Sequence, residues 1–85
     1  MNLFFIEKYI QKIKKEDIFN YANNQGINLT KTELDTLYNY LKSNYKTFLY
    51  NKETRPKLLT KLKSQVTSIT AQKIDELYYQ YKDKI

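Results

Sequence analysis

Apolar residues recur along this chain with the period of a helix, about 100° per residue. Over roughly 2–14, Leu3, Phe5, Ile6, Tyr9, Ile10 and Ile13 share one face; Lys8, Gln11, Lys12 and Lys14 take the other, and Phe4 is out of phase. The phase then breaks, because Ile18, Phe19 and Ala22 point to the opposite side of any continuous helix. A turn near Lys14–Glu16 is expected, with Asp17 a candidate N-cap for a second helix over 17–25. Leu34, Leu37, Tyr38, Leu41, Tyr45, Phe48 and Leu49 hold one stripe and predict a long helix over 31–50. Leu58, Leu59, Leu62 and Val66 predict a fourth over 55–66, and Ala71, Ile74, Leu77, Tyr78, Tyr81 and Ile85 a fifth over 69–84. No segment alternates with period two for more than a few residues, so strands are not expected. The pattern predicts an all-α fold, a single compact domain of about five helices spanning 1–85.

Local signals support these boundaries. Gly26 is the only glycine, placed where a helix ends on a residue of positive φ, with apolar Ile27 after it as in a Schellman closure. Thr30-Lys31-Thr32-Glu33 is a capping box, in which hydroxyl and carboxylate satisfy each other's unpaired amides. The only proline, Pro56, suits the first turn of a helix, and Thr67-Ser68 offers the N-cap of the last one.

Composition narrows the chemistry. The 85 residues include no Cys, His or Trp. Disulfides and thiolate nucleophiles are therefore excluded, and the redox compartment is left open. Without His, the usual general base and soft-metal ligand are missing as well. Carboxylates, lysines, tyrosines and Ser43, Ser64 and Ser68 remain. The adjacent acid pairs Glu16-Asp17 and Asp75-Glu76 diverge by about 100° on a helix and do not share a substrate. Glu16-Asp17 also sits where a helix N-terminus attracts acids. With no Gly-rich phosphate loop, no metal-ligand spacing and no nucleophile–base pair, the expectation is a protein that is not an enzyme and needs no cofactor or metal. The apolar start stops at Glu7 without a basic n-region or cleavage site, and no apolar run approaches the roughly 20 residues of a membrane span. The expected location is cytoplasmic.

Charge is unevenly placed. The net charge is +6, and residues 42–63 carry all of it: seven cations (Lys42, Lys46, Lys52, Arg55, Lys57, Lys61, Lys63) against Glu53. The rest of the chain holds eight cations and eight anions. Like charges at i,i+4, as in Lys42/Lys46 and Lys57/Lys61, cost a helix a few tenths of a kcal/mol and are not explained by helix stability. The pattern points to a binding face for an anionic partner, nucleic acid or an acidic protein surface, made by Lys42, Lys46, Tyr50, Lys52, Arg55, Lys57 and Lys61, with Asn44 and Asn51 near. The preference for Lys over Arg suits loose phosphate contact over base readout. The plain alternative is a solvated face. Lys, Asn, Ile, Tyr and Phe, all with A/T-rich codons, make up 43 of the 85 residues, so nucleotide composition alone would enrich it in Lys.

Two sharper readings fail on spacing or balance. Ala22-x-x-x-Gly26-Ile27 matches part of a helix-turn-helix, but the next required apolar positions fall on Thr32 and Asp35, and Glu33 and Asp35 would face phosphates. The basic, amphipathic first helix also describes a membrane-surface element. Its stripe has the width of an ordinary core face, and removing it would leave the other helices short of partners. Tyr78 and Tyr81 likewise read as core, with Tyr79 outward. A competing reading is a structural or protein–protein interaction domain, possibly a homo-oligomer, using exposed Phe4, Tyr40 and Tyr79.

Gly26-Ile27-Asn28-Leu29-Thr30-x-x-Glu33, Asn44-Tyr45-Lys46-Thr47-Phe48-Leu49-Tyr50 and Val66-Thr67-Ser68…Glu76-Leu77-Tyr78-x-Gln80-Tyr81-Lys82 together resemble a small family. It is a family of uncharacterised helical proteins, a domain of unknown function, from low-GC Gram-positive bacteria. The resemblance implies an all-helical cytoplasmic protein and brings no activity or site residue with it. The expected function is a non-catalytic binding module that works through the basic 42–63 helix–loop–helix.

Overall fold

The turn between Asn24 and Thr30 shows how local chemistry sets this fold. In the computed structural model, which describes residues 2–84, Gly26 has φ +77°. The Ile27 amide donates to Ala22 O at 2.8 Å and the Gly26 amide to Asn23 O at 3.0 Å, the paired bonds of a Schellman motif. Ile27 folds back onto Ala22, and with Leu29 these form the best-buried apolar cluster, backed by Ile18, Leu34 and Leu37. Four residues after Gly26, Thr30 opens the next helix. The Glu33 amide donates to Thr30 Oγ1 at 3.1 Å, and the Thr30 amide to Glu33 Oε1 at 3.3 Å.

Among the described residues the elements are α1 (Leu3–Lys12), α2 (Lys15–Asn24), α3 (Lys31–Tyr50), a 3-10 turn (Lys52–Thr54), α4 (Arg55–Lys63), α5 (Ser68–Tyr81) and a closing 3-10 turn (Lys82–Lys84). There is no strand among them. The fold is thus the all-α globule of five helices that the periodicity predicts. The 31–50 helix is found with those bounds. Other boundaries move, and α5 ends at Tyr81 where 84 was expected. The break after the first helix comes at Ile13 and Lys14, and α2 starts at Lys15. Asp17 therefore lies inside the first turn of α2, where its carboxylate accepts from the Lys14 amide at 2.9 Å; it is not the N-cap. α4 ends at Lys63, so Val66 sits in the connection to α5. Ile85, expected on the last stripe, lies outside the described residues.

α3 is the shared packing surface. α1 runs antiparallel along it, with Glu7 level with Tyr50 and Gln11 level with Tyr45. α2 packs on its N-terminal half, tied by Lys15–Asp35 at 2.8 Å, and α4 folds back along its C-terminal half. α5 packs on α4 and reaches α3 at two points. Near its C-terminal end, Phe48 and Tyr78 meet edge to face with ring centroids 6.0 Å apart. Where α5 begins, the second oxygen of Glu33 accepts from the Thr67 amide at 3.0 Å, so one carboxylate caps α3 and holds the N-cap residue of α5.

Several expected core positions are uncovered. Leu3, Ile6, Ile10 and Ile13 are half-buried against α3, but Phe5 and Tyr9 from the same predicted stripe are 69% and 64% exposed. α3 is a single cylinder and covers only part of so wide a face. Tyr81 is also exposed, its hydroxyl hydrogen-bonded to that of Tyr21, while Tyr79 projects outward beneath Lys82 as expected. Tyr40, expected at the surface, is half-buried because α4 packs over it, and its hydroxyl donates to Leu58 O at 2.7 Å.

Gly26 has open space where a Cβ would stand, so the cost of Gly26→Ala is the left-handed conformation alone. The expected loss is about 1 kcal/mol, a Tm fall of about 4–8 °C in thermal denaturation, with Gly26→Asn losing less. A second prediction concerns acid. Burial works to raise the Glu33 pKa, but hydrogen bonds from the Thr67 and Thr30 amides and from the Thr70 and Thr67 hydroxyls outweigh it and hold the group below its ordinary 4.5. A carboxylate with a depressed folded-state pKa contributes stability that is present above the unfolded value and is lost as pH falls through the folded one. Glu33→Gln should therefore lower the urea midpoint at neutral pH and flatten its decline on acidification.

Candidate binding face

The seven residues expected to contact a partner divide into two groups. Lys42 points inward across α3, and its ammonium donates to Ile10 O at 2.8 Å and Gln11 O at 2.9 Å. It caps the C-terminus of α1, where unpaired carbonyls and the helix dipole favour a cation. It also stands 5.5 Å from the Tyr38 ring centroid. Arg55 is only 3% exposed. Its Nε donates to Phe48 O at 2.5 Å and its Nη2 to Leu49 O at 2.9 Å, with the guanidinium 5.2 Å from the Phe48 ring centroid. The planar fork of the arginine serves two carbonyls of the α3 terminus at once while its face lies against the Phe48 ring. Tyr50 donates to Glu7 Oε2 at 2.6 Å; that bond, with some burial, raises its pKa. Lys63 in the same segment pairs with Asp75 at 2.7 Å.

Lys46, Lys52, Lys57 and Lys61 are the exposed cations of the segment. They do not form a single cluster. α4 docks on the side of α3 that carries Tyr40, and Lys46 lies six residues on, about 120° around the helix from it. Lys57 and Lys61 stand one turn apart on the outer face of α4, beside a shallow depression also lined by Pro56, Thr60 and Ser64. Asn44 turns its amide to Tyr40 O at 3.0 Å, and Asn51 is exposed at the end of α3.

Next to Lys61 lies a feature that helical periodicity does not reveal. The apolar crest of α3 is not covered along its full length. Ile10 of α1, Ile18 of α2, Leu37, Leu41, Tyr45 and Phe48 of α3, and Leu58, Leu59 and Leu62 of α4 bound an open groove of about 270 Å³. Its exposed wall is hydrocarbon. The polar tips around it are turned aside: Tyr40 bonds Leu58 O, Asn44 bonds Tyr40 O, and Tyr45 OH accepts from Gln11 Nε2 at 3.2 Å. Small-molecule pockets run to about 300–1,000 Å³ with convergent polar groups; this groove is smaller and has none. Leu58 and Lys61 are i,i+3 neighbours, so Lys61 adjoins the groove's edge, with Lys57 one turn before it on the outer face. Periodicity marks each leucine as apolar but is silent on whether a partner helix reaches it.

The model of the family described as "Protein of unknown function (DUF2624)" matches residues 1–82. The chain belongs to this family. The match takes in all five helices, the groove and the lysine row, and it agrees with the resemblance to an uncharacterised helical family drawn from the capping and stripe residues. No curated protein and no solved structure matches the chain. Among the described residues, no group of three or more acidic side chains converges as a metal cluster would, and no helix is long and apolar enough to cross a membrane.

Arg55→Ala leaves two carbonyls of the α3 terminus without their donor. The expected loss is about 2–3 kcal/mol in urea unfolding, with Arg55→Lys recovering only part. Lys52→Ala, on the exposed loop, should stay within about 0.5 kcal/mol.

Proposed function

We propose that this member of the DUF2624 family is a non-catalytic binding module for an acidic, amphipathic protein segment. The apolar side chains of that segment enter the groove over Leu41, Tyr45 and Phe48, and its carboxylates lie along Lys57 and Lys61. The observation that carries this reading is the hydrocarbon groove beside a row of exposed cations on one helix. The groove's volume suits one or two side chains of a partner helix, the anchors of helix-in-groove recognition. A nucleic acid would want cations on either side of a polar or stacking surface. Here Lys42, Arg55 and Tyr50 are engaged within the fold, and Lys46 lies on another flank. In this reading the rim lysines steer and select the partner, and the apolar contact holds it.

The test uses two probes: a fluorescent helical peptide with leucines on one face and glutamates beside them, and a fluorescent single-stranded oligothymidylate. The peptide should bind and shift the amide resonances of Tyr45, Phe48, Leu58 and Leu62. The double variant Lys57→Glu, Lys61→Glu should weaken it about tenfold or more, an effect that fades as salt is raised. Binding of the oligonucleotide without the peptide would replace this reading with a nucleic-acid one.

A further inference from the structure

α1 is the least enclosed helix of the fold. It packs against α3 alone and contains no buried residue. At 100° per residue, Phe4, Lys8, Lys12, Phe5 and Tyr9 follow one another across an arc about 140° wide, turned away from α3. All five are exposed. The arc thus holds three aromatic rings and two ammonium groups, with no carboxylate. Glu7, the one acidic residue of α1, is half-buried on another flank, where it accepts from Tyr50. Among the described residues neither Lys8 nor Lys12 pairs with a carboxylate, and the Lys8 ammonium stands 5.3 Å from the Phe4 ring centroid.

This face is formed before any partner arrives. Asn2 Oδ1 accepts from the Phe4 amide at 2.8 Å at one end of the helix, and Lys42 closes the other. A partner therefore meets a helix that is already ordered.

We infer that the outward face of α1 docks on an anionic lipid surface. Charge complementarity selects the occupant, because the rings are interleaved with cations alone. Phe4 and Phe5 enter the boundary of the acyl chains, and Tyr9 keeps its hydroxyl at headgroup level. Lys8 and Lys12 run their hydrocarbon stems beside the rings and carry their ammonium groups to the lipid phosphates. Periodicity alone assigns the whole apolar stripe of α1 to the core. In the fold Leu3, Ile6 and Ile10 hold the helix on α3, which leaves Phe5 and Tyr9 for the lipid without loss of packing. Ring geometry favours lipid over nucleic acid. Base stacking needs an open ring face, whereas the Phe4 face lies by the Lys8 ammonium and its ring meets that of Phe5 at 67°. The inference goes beyond the peptide-binding reading and uses none of its contact residues.

Flotation with vesicles of phosphatidylcholine and phosphatidylglycerol in equal parts, beside vesicles of phosphatidylcholine alone, tests it. The intact chain should float with the mixed vesicles and stay behind with the neutral ones. Lys8→Gln, Lys12→Gln should weaken binding about fivefold for each lysine removed. Phe5→Ser, Tyr9→Ser should weaken it about tenfold or more, with an unchanged far-UV circular dichroism spectrum. Lys57→Glu, Lys61→Glu should float within a few-fold of the parent chain, which separates this outcome from any failure of the peptide-binding reading. The chain has no tryptophan, so Phe5→Trp sets a single fluorophore on the face. Its emission should move to shorter wavelength on the mixed vesicles, a readout that stands even if a double variant fails to fold. An unshifted emission overturns the inference, as does full vesicle binding by a folded Phe5→Ser, Tyr9→Ser variant. A shift caused by oligothymidylate and not by mixed vesicles overturns it in favour of nucleic acid.

Discussion

One helix has to serve as the packing surface for three of the four others, and much of this structure follows from that constraint. α3 presents apolar side chains over a wide arc, with Leu34, Leu37, Leu41, Tyr45, Phe48 and Leu49 spread along its length. α1, α2 and α4 each take a flank, and α5 arrives on α4. None of the described side chains that form the core is fully enclosed on all sides; the lowest exposure is a few per cent, at Ala22, Leu49, Arg55, Thr70 and Glu33. A core that is mostly half-buried leans on polar ties more than a thick one does, because each helix end left without partners costs free energy that little apolar burial offsets.

Those ties sit at helix ends. Lys42 closes α1, the Gly26 turn closes α2, Arg55 closes α3, and Glu33 opens α3 while holding the start of α5. Two of the seven cations in the basic segment thus act as caps, and the charge that looked like one ligand-facing cluster has two physical roles. Charges directed at carbonyl termini relieve dipoles inside the fold. Charges left on the outer face of α4 have no such partner in the fold and raise the potential next to the groove.

The capping box at Thr30 and the Schellman turn at Gly26 could be read directly, because each is made within a few residues by backbone and side chains that are neighbours in the chain. The start of α2 was harder. Asp17 suits both the N-cap and the third helical position, and only the backbone break at Lys14 separates the two. Arg55 carried one faint signal. It is the single arginine in a chain with fourteen lysines, and it alone carries a planar fork of donors. Tyr40 and Tyr45 gave no hint of whether their hydroxyls would meet water or a neighbouring helix.

The sequence by itself determined which segments become helices, the capped ends at Gly26 and Thr30 and most of the apolar side of each, because periodicity and capping are local. It also determined that the net charge of +6 resides between residues 42 and 63. Only the tertiary structure decided how many of those cations face solvent, since Lys42 meets α1 carbonyls more than thirty positions away and Arg55 folds back on α3. It also decided that Phe5 and Tyr9 stay bare and that a groove remains over Phe48. A helical stripe records that a side chain avoids water. Whether another helix arrives to cover it depends on how three shorter cylinders divide the surface of one long one.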